Sequence, residues 1–471
     1  MQLTRLRKWL ILINISISIF MATLDGSIVN IALPTISEQL SSSISSIQWV
    51  VNAYLLAISV LLLVWGKLAD IYGKKKIFMM GFVIFSVGSG LCGFSNSLLM
   101  LVISRVIQAV GASSMMALSQ GIVTNIFPPG ERGRAFGITG ASVAIGSLTG
   151  PTLGGILVKT FGWHSIFLVN IPIGIIGILC TYFLIPEIKE EPENKTFDVL
   201  GAFLFAGSIL LLFMSFLFLQ DQKVSGKVFA IMLILALVLM ISFIVHERRV
   251  SYPLLNFGLF KIKVFLLGIS TAFLSFVSLN TTLYFMPFYF AYVLNITTLK
   301  AGLLMSAYPL MTALISPFSG WLSDKISYRP LTVIGLTINV AVLFTISTFG
   351  TSTSVFQIVL FMALLGIGSA IFQSPNNSSV MGSVPKNELG SAGGINALFR
   401  NLGMVSGTTI SVIIFSFATK INISKITGEK AGLSSEVFLK GFRVVFIFAA
   451  CACIAALLFS LARVSLKNSP K

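Results

Sequence analysis

Apolar residues come in stretches of about twenty along the whole chain, separated by short polar breaks. The stretches fall at 9–33, 47–68, 76–95, 98–125, 134–158, 163–186, 198–219, 227–246, 264–292, 300–323, 330–350, 354–383, 389–418 and 438–463. A helix rises about 1.5 Å per residue, so roughly twenty apolar residues cross a hydrocarbon layer of about 30 Å. The pattern predicts an all-α integral membrane protein of about fourteen spanning helices. An even number puts both termini on one side.

Composition agrees: 56% of the 471 residues are hydrophobic and only 10% charged, against about 25% charged in soluble domains. The net charge of +17 would suggest a nucleic-acid partner in a soluble chain. Here the basic residues, among them Lys67, Lys74, Lys75, Lys76, Arg132, Arg134, Arg248, Arg249, Lys261, Lys263, Lys325 and Arg329, sit in the breaks of one side. Lys and Arg favour that side by about two to one, which orients both termini to the cytoplasm of a cell membrane and leaves no nucleic-acid partner to invoke. The start, Arg5-Leu-Arg7-Lys8 before an apolar run, imitates a signal peptide but lacks a small-x-small cleavage site; it is expected to stay as the first helix. Cys92, Cys180, Cys451 and Cys453 all lie in apolar spans with no disulfide or metal spacing. No nucleophile–base or metal constellation appears, so neither an enzyme nor a bound cofactor is expected.

The chain repeats itself. Gly66-Lys-Leu-Ala-Asp70-Ile-Tyr-Gly73-Lys74 ends the second span, and Gly320-Trp-Leu-Ser-Asp324-Lys-Ile-Ser-Tyr-Arg329 ends the tenth. Pro129-Gly-Glu131 precedes the fifth span and Pro385-Lys-Asn-Glu388 the thirteenth; Gly146 and Gly150 match Gly403 and Gly407. The offsets agree to a few residues, so two six-helix halves are expected, at 1–190 and 261–471, with a two-helix insertion at 191–260. The inserted pair has almost no polar residues and is expected to face lipid.

Chemistry concentrates at few positions. Asp25 is the one acid well inside a span, and an ionised Asp at mid-helix costs roughly 2.5–3.5 kcal/mol on insertion scales. Arg105, in the fourth span, lies at a similar depth by helix rise, about 10–12 Å from the far face. Asp25 with Arg105 is therefore the candidate proton-coupling pair. Asp70 can pair with an arginine or cap a helix N-terminus; with Gly66, Gly73, Lys74, Arg132, Arg134, Asp324 and Arg329 it forms a candidate gate, Asp70 latching to Arg132 or Arg134. Gly146, Gly150 and Gly154 share one helix face, with Pro151 and Gly155 beside them, as close helix contact requires. Polar and aromatic residues in otherwise apolar spans, Asn30, Trp49, Asn52, Tyr54, Gln108, Asn280, Tyr284, Phe288, Gln373, Asn376 and Asn377, are the candidate substrate cavity, suited to a flat lipophilic molecule, cationic if π faces hold it. Arg400, halfway along the thirteenth span, either snorkels or faces that cavity.

These motifs resemble the fourteen-span drug:proton antiporter family of the major facilitator superfamily over nearly the whole chain. Leu24-Asp25-Gly-Ser-Ile-Val-Asn30-Ile-Ala-Leu-Pro34 is similar to that family's first-helix motif, whose acid is associated with proton coupling. Residues 66–76 resemble the superfamily loop signature, and residues 105–112 the fourth-helix motif, with Ala109 where glycine is usual. Residues 146–155 resemble the antiporter motif of exporters, and Trp163-His-Ser-Ile-Phe-Leu-Val-Asn170-Ile-Pro172 a further one, with His164 where Arg is frequent. The tenth helix lacks the extra acid of relatives that export divalent cations, which by resemblance favours monovalent, zwitterionic or neutral substrates. The resemblance implies a monomeric multidrug exporter working by alternating access and driven by the proton gradient. A proton symporter for a nutrient, a lipid exporter and a non-transporting sensor stay open beside it.

Overall fold

The computed structural model describes residues 4–42, 44–187, 196–220, 226–420 and 434–465. Among them are fourteen helices long and apolar enough to span a membrane, and no strand. Their main segments are α1 (Arg5–Gln39), α2 (Trp49–Tyr72), α3 (Lys74–Gly93), α4 (Leu98–Ile126), α5 (Arg132–Phe161), α6 (Asn170–Leu184), α7 (Val199–Gln220), α8 (Gly226–Glu247), α9 (Lys263–Tyr292), α10 (Ala307–Ile326), α11 (Tyr328–Ser347), α12 (Val355–Gly382), α13 (Leu389–Thr419) and α14 (Ser435–Ser465), the sixth span running Ser165–Leu184 and the tenth Lys300–Ile326 with the short helix before each. Short helices at Ile44–Ile47, Ser165–Leu168, Gly258–Lys261 and Thr298–Met305 lie between them. The start of α1 and the end of α14 define one face of the bundle, called here the terminal face.

Local chemistry sets several boundaries. Ser97 accepts from the Met100 amide at the start of α4, and Ser354 with Gln357 forms a capping box at the start of α12. Between α2 and α3 the chain turns at Gly73, whose φ of 95° suits glycine. Ser327, the corresponding residue between α10 and α11, has the same kind of conformation, with φ of 84°. The repeated sequence thus repeats in backbone geometry, even where the second copy has lost its glycine.

α1–α6 pack as one bundle and α9–α14 as another, with α2 against α13 and α5 against α10 joining them. The small-residue stripe of α5 lets α1 close on it: a Cβ at Gly150 would fall 3.1 Å from the Ile28 amide nitrogen, and one at Gly154 2.7 Å from Ile28 Cγ1. Gly155 faces open space, so its neighbourhood in sequence gives it no share in that contact. Pro151 is accommodated inside α5 with its side chain exposed. In the second bundle, Gly403 and Gly407 of α13 meet the Phe273 and Val277 carbonyls of α9 in the same relation.

The inserted pair packs chiefly on itself. α7 leans on α2 and α13 through the buried Phe205, Ile209 and Phe213, while α8 lies outermost. Along α8 only Ala236, Phe243 and Glu247 are buried, as an apolar helix against lipid would be. The boundary at 190/191 lies outside the described residues.

Candidate functional site

Asp25 is fully buried twenty residues into α1. Every other described carboxylate lies within two residues of a helix end or in a loop. Three side chains donate to it. Arg105 Nη1 reaches Oδ2 at 2.5 Å, Gln108 Nε2 reaches Oδ1 at 2.8 Å, and Asn170 Nδ2 reaches Oδ1 at 3.1 Å. Arg105 and Gln108 stand three apart on α4, hence on one face; Asn170 is the first residue of α6. A carboxylate so placed has the ion-pair partner and the hydrogen bonds that a buried charge requires.

Arg105 does not depend on Asp25 alone for its position. Its Nε donates to the Val50 carbonyl at 3.1 Å, its Nη1 to Gln108 Oε1 at 2.6 Å, and its guanidinium lies 3.9 Å from the centre of the Tyr54 ring. Gln108 is fixed further by Ser89 Oγ at 2.8 Å. The expected Asp25–Arg105 interaction is therefore present and direct. Tyr54 and Gln108, expected in the substrate cavity, are fully interior parts of this cluster instead. Sequence reasoning passed over Asn170 as a ligand of the acid; its signal was an amide in the apolar run from Val169 to Pro172.

The second arrangement lies at the terminal face and is reciprocal. Asp70 Oδ1 and Oδ2, at the end of α2, accept from the Gly390 and Ser391 amides, each at 2.8 Å, and Ser391 Oγ adds a third bond. Asp324 Oδ1 and Oδ2, at the end of α10, accept from the Gly133 and Arg134 amides at 2.7 and 2.8 Å. Each bundle thus caps the N-terminus of a helix in the other, where free amides and the helix dipole favour an anion. Glycines let the backbones meet beside each cap: a Cβ at Gly66 would lie 2.6 Å from the Gly390 carbonyl oxygen, and one at Gly320 2.7 Å from the Gly133 carbonyl carbon.

This corrects the expected Asp70–arginine latch. Arg132 turns back on its own bundle, to the Phe127 and Thr124 carbonyls at 3.0 and 3.1 Å, and Arg134 stacks 4.7 Å over Trp9. The cation beside Asp70 is Lys74, 3.7 Å away on the next helix. Arg329 lies half-buried at the start of α11.

The remaining cavity candidates divide. Asn30 is exposed and bonds only to the Gly26 carbonyl one turn below; with Gly26, whose Cβ position meets nothing, it marks an open side of α1. Asn52 and Gln373 are half-buried. Phe276, Asn280, Tyr284 and Phe288 follow one another at four-residue spacing, so they form one stripe of α9. Asn280 is also tied to α13 through the Met404 carbonyl and Thr408 Oγ1. Asn377 takes part in a bridge between bundles: Asn396 Nδ2 donates to its Oδ1 at 3.2 Å and to Gln120 Oε1 of α4 at 2.6 Å. Two expectations fail. Trp49 packs edge-on to Phe218 of α7, so it buttresses the inserted pair, and Asn376 is buried, holding Arg463 Nη1 at 2.7 Å. Asp25 is engaged by its three donors and every other described carboxylate lies near a helix end or in a loop, so among the described residues none stands mid-span to receive a cationic substrate.

Two bundles related by an internal repeat, closed on each other at one face and holding a buried ion pair in one of them, define the fold of a secondary transporter. The chain belongs to the Major Facilitator Superfamily, whose family model matches residues 15–408 and 268–471. It is 36% identical to the riboflavin transporter RibZ of Clostridioides difficile (strain 630), over 88% of this chain and 90% of that protein. It is 27% identical to multidrug resistance protein 3 of Bacillus subtilis (strain 168), over 90% and 83% of the two chains. The solved structure of the proton:xylose symporter XylE shares the fold, with a TM-score of 0.67 at 16% identity, covering 97% of this chain and 95% of that one. Members of such a family are transporters and not enzymes.

Proposed function

We propose that the chain is a proton-coupled exporter of flat, lipophilic small molecules, acting by alternating access in a cell membrane with the terminal face in the cytoplasm. The observation that carries it is Asp25: a carboxylate held by three donors, and the only described one that lies more than two residues inside a spanning helix. An intramembrane ionisable group at such cost is a functional site by default. Protonation of Asp25 removes its charge and its bond from Arg105 while Val50 and Gln108 keep Arg105 in place, so the two proton states differ inside a fixed frame. An antiporter requires that proton and substrate favour opposite occupancy. The fourteen-span drug:proton antiporter subfamily and a monomeric state fit this reading.

The reciprocal caps supply the switch. With both formed, the cytoplasmic side is shut and the seam opens outward; breaking them lets the bundles rock. Loss of one cap costs about 0.5–2 kcal/mol, so Asp70→Ala or Asp324→Ala is expected to shift the closed population roughly twofold to thirtyfold toward opening. Pulsed EPR distances between spin labels at the ends of α2 and α10 read this directly. Unchanged distance distributions in both variants would remove the caps from the switch.

The test of coupling is proton exchange by the purified full chain in weakly buffered solution, on adding riboflavin or ethidium. Acidification by the wild type and none by Asp25→Asn is the expected result. Alkalinisation would mean that substrate and proton bind together, as in a symporter. No pH change with binding confirmed would take Asp25 out of the coupling role.

A further inference from the structure

Of the arginines that lie buried or half-buried well inside the bundle, two have evident partners. Arg105 holds Asp25, and Arg463, fully buried in α14, donates to Asn376. Arg400 is different. Eleven residues from the start of α13, it lies about 16 Å along that helix, near mid-span. No described residue accepts a hydrogen bond from it or forms an ion pair with it, its Nε is buried without a partner, and its guanidinium rests 5.4 Å from the centre of the Phe276 ring.

Its direction follows from its neighbours on α13. Gly393 meets the Ala117 carbonyl of α4, and Asn396 reaches Gln120 of α4, so that face looks across the seam. Gly403 and Gly407 meet α9. Arg400 is seven residues after Gly393 and four after Asn396, which keeps it on the face that looks across the seam, one turn above the last inter-bundle bridge. It is therefore a half-buried cation at the floor of the seam. Above it runs the α9 stripe of Phe276, Asn280, Tyr284 and Phe288, the last two with ring centres 5.3 Å apart. Val143, the repeat counterpart of Arg400, is apolar, so the feature belongs to one bundle only.

The geometry points to Arg400 as the anchor of an anionic oxygen edge on an aromatic substrate. The rings of α9 hold the flat body, and the guanidinium takes a carboxylate, sulfonate or enolate in the forked geometry that arginine offers. This rests on the reading of the chain as a transporter of flat lipophilic molecules, and it turns the substrate from cationic to anionic. An unpaired guanidinium at this depth is costly, and a substrate that completes its bonds removes that cost only while bound.

The test uses one ring system with two charges: anthracene-9-carboxylate and 9-(aminomethyl)anthracene, bound at equilibrium to the full chain in lipid nanodiscs, with empty nanodiscs subtracted. The wild type is expected to bind the carboxylate at least roughly tenfold more tightly than the amine. Arg400→Gln is expected to erase that preference by weakening the carboxylate alone, and Arg400→Lys to keep part of it. Retained amine binding shows that Arg400→Gln is folded. Equal affinities in the wild type, binding of neither probe, or a preference that survives Arg400→Gln would overturn the inference. Proton release measured on the same samples separates the two readings. Release lost in Asp25→Asn with no anion preference leaves the coupling standing and Arg400 without its role; the reverse pattern leaves Arg400 standing and the coupling refuted.

Discussion

Arg105→Met is expected to destabilise the protein by about 3–5 kcal/mol, the usual cost of leaving one partner of a buried pair uncompensated. Nothing else near Asp25 carries positive charge: Gln108 and Asn170 donate hydrogen bonds but leave the carboxylate's charge unmatched. Asp25→Asn made in addition removes that charge, keeps an acceptor oxygen for the amides, and is expected to restore most of the lost stability. Loss of monodispersity on heating, followed by size-exclusion chromatography, measures all three proteins. The double variant should fold and bind substrate yet move no protons with it. If Arg105→Met were as stable as the wild type, or if Asp25→Asn failed to rescue it, the pair would not act as a unit.

The second large effect concerns closure. Gly320→Val is expected to reduce gradient-driven transport in proteoliposomes roughly fivefold to 150-fold, from an overpacking cost of about 1–3 kcal/mol placed on one state of the cycle. The added carbons would meet the Gly133 carbonyl and Gly137 Cα, which are backbone atoms of the opposite bundle and cannot step aside without separating the bundles. Gly155→Val is the control, since nothing lies within 4 Å of its Cβ position. Equal transport by the two variants would show that the terminal face need not close this tightly.

Much of this was legible in the residues themselves. Spanning helices are written in a single variable, apolar length, and every expected span has its helix. α1 runs to Gln39 rather than 33, because small polar residues continue a helix that leaves the apolar zone. Asp25 and Arg105 were visible because charges in apolar runs are rare. Which face of a helix meets another bundle is set by neighbours far away in sequence, so Tyr54, Gln108 and Asn376, polar residues in apolar runs like Asn30, were assigned to the cavity although all three are interior. The partners of Asp70 were harder still. Two of the three are backbone amides, and an amide carries no residue type by which to recognise it.

That last point reaches beyond this chain. A contact addressed to the main chain is written in one sequence only, that of the acid. Whereas a Cβ at Gly133 or Gly390 would strike the Gly320 or Gly66 carbonyl, positions 134 and 391 can drift among nearly all residue types without losing the N–H that Asp324 and Asp70 require. Proline, ordinarily welcome in the first turn of a helix, is the substitution they cannot absorb. Divergence should therefore spare Asp70, Asp324 and the touching glycines while the residues around them wander. The two copies within this chain already differ in that way: Gly66, Leu68 and Asp70 recur as Gly320, Leu322 and Asp324, whereas Lys67 and Ala69 have become Trp321 and Ser323.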